Sequence, residues 1–191
     1  MGNAVMADGA SLPFVYLTNF LSESNFHAVL GQALSSHGAT SEQTPHLVNL
    51  QNIETWSIGK NIESLYPLHC QRKLLKIKGG NILDFSDNRG MDYHQDSVPN
   101  KDYPDDPEIG FTPNASAVYY LNDDYEGGEV CFTTERPPIQ QATVDTKGLK
   151  NLFTLKPQPN SCVFFDANLW HWVRPVTKGR RFSSTYFLLV E

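Results

Sequence analysis

In Met91-Asp92-Tyr93-His94-Gln95-Asp96 an imidazole and a carboxylate stand two residues apart. On a strand, residues i and i+2 share a face, so His94 and Asp96 would aim a ring nitrogen and an oxygen at one point. His-x-Asp alone is weak, since it equally describes a strand-end histidine hydrogen-bonded to a nearby acid. A second histidine, His171, stands in the aromatic, strand-like stretch Asn168-Leu169-Trp170-His171-Trp172-Val173. Alone it reads as a satisfied core histidine. Two His and one Asp are nevertheless the donor set of a facial triad, which leaves three positions open on a non-haem Fe(II) ion. Zinc is the competing metal, but a hydrolytic zinc site also wants a general base, and none is identifiable.

A cation follows. In Pro175-Val176-Thr177-Lys178-Gly179-Arg180-Arg181-Phe182-Ser183, Lys178-Gly179 predicts a turn, so that the next strand runs back beside that of His171. Arg181 and Ser183 then share one side, where a guanidinium and a hydroxyl can hold a carboxylate. A buried arginine without an anion is costly, so this placement implies an acidic small ligand or an internal Asp or Glu partner. Arg180 points the other way and is expected in solvent. Trp170 and Trp172 share the face opposite His171, which suits packing.

The elements that must position these residues are short. Leu12 to Leu17 has strand character. Ser22 reads as a helix N-cap with Glu23 in the first turn, followed by a stripe of Phe26, Val29, Leu30, Ala33 and Leu34. Residues 35–55 read as irregular, and Ile62, Leu65 and Tyr66 suggest a second helix. Beyond Leu74, short apolar segments at 74–77, 82–85, 91–94, 116–121, 129–133, 151–155, 161–165, 170–173 and 181–190 alternate with turn residues such as Gly79-Gly80 and Lys178-Gly179. Many short strands at such spacing predict a mainly β sandwich or barrel with helices added in front. Two long polar, Pro-rich connections, 97–113 and 134–150, are the candidate lids.

His94-x-Asp96, His171 and Arg181 ten residues later resemble the 2-oxoglutarate/Fe(II) dioxygenases, above all their prolyl 4-hydroxylase-like branch. Ala117 to Glu129, with its Gly127-Gly128 hairpin, Leu155-Lys156-Pro157 through Phe165, and His171 through Arg181 are similar to that branch in order and spacing. The likeness covers about residues 74–190. It implies a double-stranded β-helix, a jelly-roll barrel of the cupin type, over 74–191, with 1–73 as a tail and buttressing helices within one compact domain. It implies that His94, Asp96 and His171 ligate Fe(II), and that Arg181, helped by Ser183, pairs with the far carboxylate of 2-oxoglutarate. Ascorbate is a candidate stimulant. The reaction implied consumes O₂ and 2-oxoglutarate, releases succinate and CO₂, and hydroxylates an unactivated C–H of a peptidyl residue or a free amino acid. Many relatives carry a tyrosine nine residues before the first histidine, where this chain has Phe85. Tyr119 and Tyr93 are the candidates to replace its hydroxyl. Related halogenases have a small residue at the position of Asp96, so Asp96 favours hydroxylation.

Composition narrows the alternatives. With 191 residues, 40% hydrophobic and 19% charged, the chain suits one domain with its own core. Its net charge of −6 argues against nucleic acid and anionic membranes as partners. No Lys or Arg precedes Lys60, so no leader is expected, and no apolar run reaches a membrane span. Cys70, Cys131 and Cys162 are scattered and read as reduced thiols, as in a cytoplasmic protein. Asp102, Asp105 and Asp106 face a single Lys101 in the segment after the ligands. This is a solvated loop or, more sharply, an acidic lid over a cationic substrate. The competing functions are an oxygenase acting on another small molecule or on nucleic acid, and a non-catalytic cupin-like metal binder. In the latter, Arg181-x-Ser183 has no purpose.

Overall fold

Short runs rich in aromatic and β-branched residues, separated by Gly, Pro and Asn turns, form the strands of this protein, and apolar stripes at helical spacing in its N-terminal part form its helices. The computed structural model describes residues 13–35, 46–48, 54–86, 88–97, 111–136, 149 and 151–191. In chain order these are β1 (Phe14–Thr18), α1 (Glu23–Ser35), β2 (His46–Val48), α2 (Glu54–Cys70), β3 (Leu74–Phe85), β4 (Met91–His94), β5 (Ala115–Tyr120), β6 (Glu126–Gly127), β7 (Val130–Thr133), β8 (Phe153–Leu155), β9 (Ser161–Asp166), β10 (Trp170–Val173), β11 (Val176–Lys178) and β12 (Arg181–Val190). Among the described residues, no helix is long and apolar enough to cross a membrane.

Antiparallel pairing builds a six-stranded sheet, β1-β9-β5-β12-β3-β2, a four-stranded sheet, β4-β10-β7-β8, and a small β11-β6 ladder. The two large sheets face each other as a double-stranded β-helix. Tyr120, Val163 and Phe165 of the first meet Val130 and Phe132 of the second across the sandwich. The six-stranded sheet is covered on its other face too. There Val29 and Ala33 of α1 and Ile58, Ile62 and Tyr66 of α2 pack on Ala117, Cys162, Phe164, Phe182 and Leu188. Its central strands are therefore buried on both faces, and β5 and β9 are covered along nearly their whole length without an alternation of buried and exposed residues. The N-terminal region also supplies the two edge strands, β1 and β2.

Ser22 caps α1 as expected, its Oγ accepting a hydrogen bond from the Asn25 N–H at 3.4 Å. Leu34, expected on the buried stripe, is instead 53% exposed, because only one turn in the stripe, Val29 and Ala33, sits squarely on the sheet. Gly79-Gly80 does not end a strand. β3 continues through both at φ 120° and 107°, and the β12 register slips opposite them, which marks a bulge. A Cβ on Gly79 would strike the Thr185 carbonyl, so the close approach of β3 and β12 there requires glycine. Cys131 and Cys162 are buried free thiols, and Cys70 is partly buried.

The strand after Lys178-Gly179 goes elsewhere than expected. β12 pairs with β3 and β5, while the His171 strand, β10, pairs with β4 and β7 in the opposite sheet. The cause is β11, which pairs with β6 and carries the chain out of the four-stranded sheet before the turn at Gly179, φ 79°. Arg180 points outward as expected, its side chain 40% exposed, but it is also paired. Its Nη2 donates to Asp84 Oδ2 at 2.6 Å and its Nε to the same oxygen at 3.2 Å, with Asp84 only 3% exposed.

Asn122 fastens the start of β12. Its Oδ1 accepts from the Phe182 N–H at 2.8 Å, and its Nδ2 donates to the Arg180 carbonyl at 2.6 Å. These bonds bracket Arg181. Asn122→Ala leaves the buried Phe182 N–H without its acceptor and should destabilise the protein by about 2–3 kcal/mol. This is measured as a lower urea midpoint with an unchanged slope.

Candidate metal centre and anion pocket

The donors approach from two neighbouring strands of one sheet. His94 ends β4 and His171 lies opposite it in β10, their ring centroids 4.2 Å apart. Asp96 is not on the strand, as His-x-Asp spacing suggested, but in the turn after it. That turn is clasped to the segment leading into β10. Gln95 Nε2 donates to the Asn168 carbonyl, Ser97 Oγ to Asn168 Oδ1 at 2.7 Å, and the Ser97 N–H to the Ala167 carbonyl at 3.1 Å. Asp96 Oδ1 thereby lies 3.4 Å from His94 Nε2 and 3.7 Å from His171 Nε2. One ligand atom from each of the three residues falls within 4.8 Å of the others.

Both rings are oriented by their other nitrogen. His94 Nδ1 donates to the Asp92 carbonyl at 2.8 Å and His171 Nδ1 to the Leu169 carbonyl at 3.0 Å. A carbonyl can only accept, so each Nδ1 carries a proton and each Nε2 is the nitrogen turned to the shared point. His171 is buried, while the His94 side chain is 36% exposed at the cavity mouth.

The charges match this geometry. Burial and the neighbouring His94 push His171 down to about 4, so it is neutral at pH 7. Burial opposes ionisation of Asp96, but the charges and hydrogen bonds of His171, His94 and Ser116 outweigh it and hold the carboxyl near 2. Burial also acts to lower His94, yet the Asp96 hydrogen bond and charge prevail and raise it. An anionic oxygen with two imidazole nitrogens fits a divalent transition metal with open positions.

The triad opens into a cavity of about 230 Å³ between the sheets. Leu83, Phe85, Val118, Phe132, Phe165 and Val173 give it apolar walls. At its inner end stands Arg181, on the inward row of β12 with Ser183 and Thr185. Arg181 is 1% exposed, its guanidinium 4.8 Å from the Phe85 ring and 5.1 Å from the Tyr120 ring, and its Nη1 donates to Ser183 Oγ at 3.1 Å. Among the described residues no carboxylate pairs with it. Arg181 Nε and the buried hydroxyl of Tyr120 lack hydrogen-bond partners, and the buried Tyr125 hydroxyl lies beside Arg181. Of the two partners expected for a buried arginine, the described residues supply no internal acid, and an anionic ligand fits the position.

The candidate tyrosines need correction. Tyr119 faces the helices, not the cavity, and its hydroxyl donates to Asn160 Oδ1 at 3.0 Å. Tyr93 packs with Cys131 and Trp172 on the outer side of the four-stranded sheet. Each is one residue from a cavity-lining neighbour, Tyr120 and His94, and strand alternation turns it away. Tyr120 is the residue that the spacing missed. Adjacent tyrosines on a strand buried on both faces offer no polar alternation to settle which one points inward. Tyr125 lies with Phe85 in one cluster, and Lys156 holds it from behind. Lys156 Nζ donates to the Tyr125 and Gly127 carbonyls at 2.8 and 2.9 Å and sits 3.5 Å from the Tyr125 ring centroid. Gly128, at φ 66°, leaves room for Arg181, whose Cδ a Cβ there would crowd. Trp172 is fully buried beside Tyr93 and Cys131, in the packing role expected. Asp102, Asp105 and Asp106 lie outside the described residues.

No curated protein matches this chain by sequence. Solved structures match its fold. A prolyl hydroxylase from Trichoplax adhaerens, in complex with a hypoxia inducible factor oxygen degradation domain peptide fragment, has a TM-score of 0.64 at 16% identity, over 93% of this chain and 83% of that one. A Pseudomonas putida prolyl-4-hydroxylase has a TM-score of 0.62 at 14% identity, over 95% and 94%. The viral collagen prolyl hydroxylase of Paramecium Bursaria Chlorella virus-1, in its 2OG complex, has a TM-score of 0.61 at 13% identity, over 96% and 98%. The family model of the 2OG-Fe(II) oxygenase superfamily matches residues 80–189, the span that carries the three donors and Arg181. The chain thus belongs to the 2OG-Fe(II) oxygenase superfamily, whose members use Fe(II) and 2-oxoglutarate, and it shares the fold of these prolyl hydroxylases.

Proposed function

We propose that this enzyme hydroxylates an unactivated C–H of a peptidyl residue, or of a free amino acid, and converts 2-oxoglutarate to succinate and CO₂. In this reading residues 74–191 are the catalytic core, 1–73 buttress it, and the enzyme works in the cytoplasm. The observation that carries it is the buried Arg181, without a carboxylate partner among the described residues, in one cavity with His94, Asp96 and His171. The triad holds Fe(II). Arg181 binds the far carboxylate of the co-substrate, with Ser183 and Tyr120 as additional hydroxyls. With O₂ as the oxidant, one oxygen atom going to the substrate and one to succinate, iron with 2-oxoglutarate would supply the oxidising chemistry. The chain orients the two carboxylate ends, excludes water with Leu83, Val118, Phe132 and Phe165, and presents the target C–H from the mouth. The peptide fragment named with the Trichoplax adhaerens structure supports a peptidyl substrate. The acid-rich stretch with Asp102, Asp105 and Asp106 supports a cationic one. The net charge of −6 weighs against nucleic acid.

Three measurements test this reading. Anaerobic addition of Fe(II) and 2-oxoglutarate should produce a visible charge-transfer band that His171→Ala abolishes. No band, together with no succinate in air, rejects it. Arg181→Met removes an unpaired buried charge, so the ligand-free protein should melt at least as high as wild type, while the stabilisation by 2-oxoglutarate with metal disappears. Retained stabilisation would place the co-substrate elsewhere. Finally, Asp105→Asn with Asp106→Asn should raise KM for a basic peptide several-fold with kcat unchanged, and an unchanged KM removes the acidic lid from the proposal.

A further inference from the structure

The two oxygens of Asp96 have different surroundings. Oδ1 faces both histidines, 3.4 and 3.7 Å from their Nε2 atoms. Oδ2 is turned the other way and accepts a hydrogen bond of 2.6 Å from Ser116 Oγ. Ser116 is fully buried on the inward row of β5, two residues from Val118 and four from Tyr120. Its backbone is held on both sides, opposite Phe165 of β9 and opposite Phe187 of β12. Asp96 has no such support, since it stands in a turn and no ladder sets the rotation of its carboxylate. The rigid central strand of one sheet therefore orients a donor carried by a loop of the other.

We propose that Ser116 is a positioning residue for the metal, holding Asp96 Oδ2 away from the histidines so that Asp96 offers Oδ1 alone. This rests on the reading of His94, Asp96 and His171 as iron ligands. The consequence is a coordination count. One oxygen and two nitrogens leave three positions open, which the 2-oxo acid end of the co-substrate and O₂ require. A carboxylate free to rotate can chelate through both oxygens and fill one of them. Hydrogen bonds to ligating carboxylates also tune affinity, and losing one typically costs 10–100-fold in metal binding.

The test uses metal-stripped full-length protein titrated with Co(II), followed by calorimetry and by the visible d–d bands. Ser116→Ala should raise the Co(II) Kd by about tenfold or more. It should also change the position and intensity of the bands, and weaken 2-oxoglutarate binding to the Co(II) form. Ser116→Thr, which keeps the hydroxyl, should bind Co(II) as wild type does, and Ser116→Val, of equal size without it, should behave as Ser116→Ala. Wild-type affinity and spectrum in Ser116→Ala or Ser116→Val overturn the proposal. Equal losses in the Thr and Val variants do so as well, because they mark packing and not the hydroxyl. If wild type itself binds no Co(II), the iron-site reading fails first, and that outcome is distinct from the others.

Discussion

The Arg181 guanidinium is 1% exposed, and the barrel has to accommodate a cationic side chain in its interior. Its support is assembled from separate parts of the chain. Phe85 of β3 and Tyr120 of β5 face it, Ser183 of β12 accepts from it, and Gly128 leaves the space that its stem fills. Asn122 fixes the backbone on both sides, and Lys156 holds Tyr125 in the neighbouring cluster. None of these groups neutralises the charge. Among the described residues no carboxylate pairs with it, and it is aimed into the cavity between the sheets, where an anion would complete it.

The other end of the cavity carries the opposite sign. Asp96 is ionised and buried between two histidines whose Nε2 atoms face it. The cavity therefore has a cation at its inner end and an anionic donor set near its mouth, separated by apolar walls. A dicarboxylate that binds metal at one end suits this polarity. The tie between the ends is mechanical as well, because β5 contributes Tyr120 beside Arg181 and Ser116 beside Asp96.

Much of this was legible from residue order. The three donors, the inward Arg181 and Ser183, the capped first helix and most strand positions follow from spacing and turn chemistry. The departures have distinct physical causes. The central strands of the six-stranded sheet are covered on both faces, so their sequences carry no alternation from which a facing can be read. For that reason Tyr119 and Tyr120 could not be told apart. Arg180 shows no sign in the sequence of Asp84, 96 positions away. Gly79-Gly80 resembles a turn because positive φ serves a turn and a bulge equally.

What the sequence by itself determined was the chemistry: two imidazoles, a carboxylate and a guanidinium, in an order and spacing that suit iron and a dicarboxylate. The resemblance to 2-oxoglutarate/Fe(II) dioxygenases rests on that order. The tertiary structure alone decided which side chains face one another. It set β12 against β3 and β5 and not beside β10, placed Asp96 in a turn held by Asn168, and brought Ser116 to its outer oxygen. The reason is that donor types are carried locally by residues, whereas strand pairing depends on which apolar faces can be buried together, a property of the whole chain.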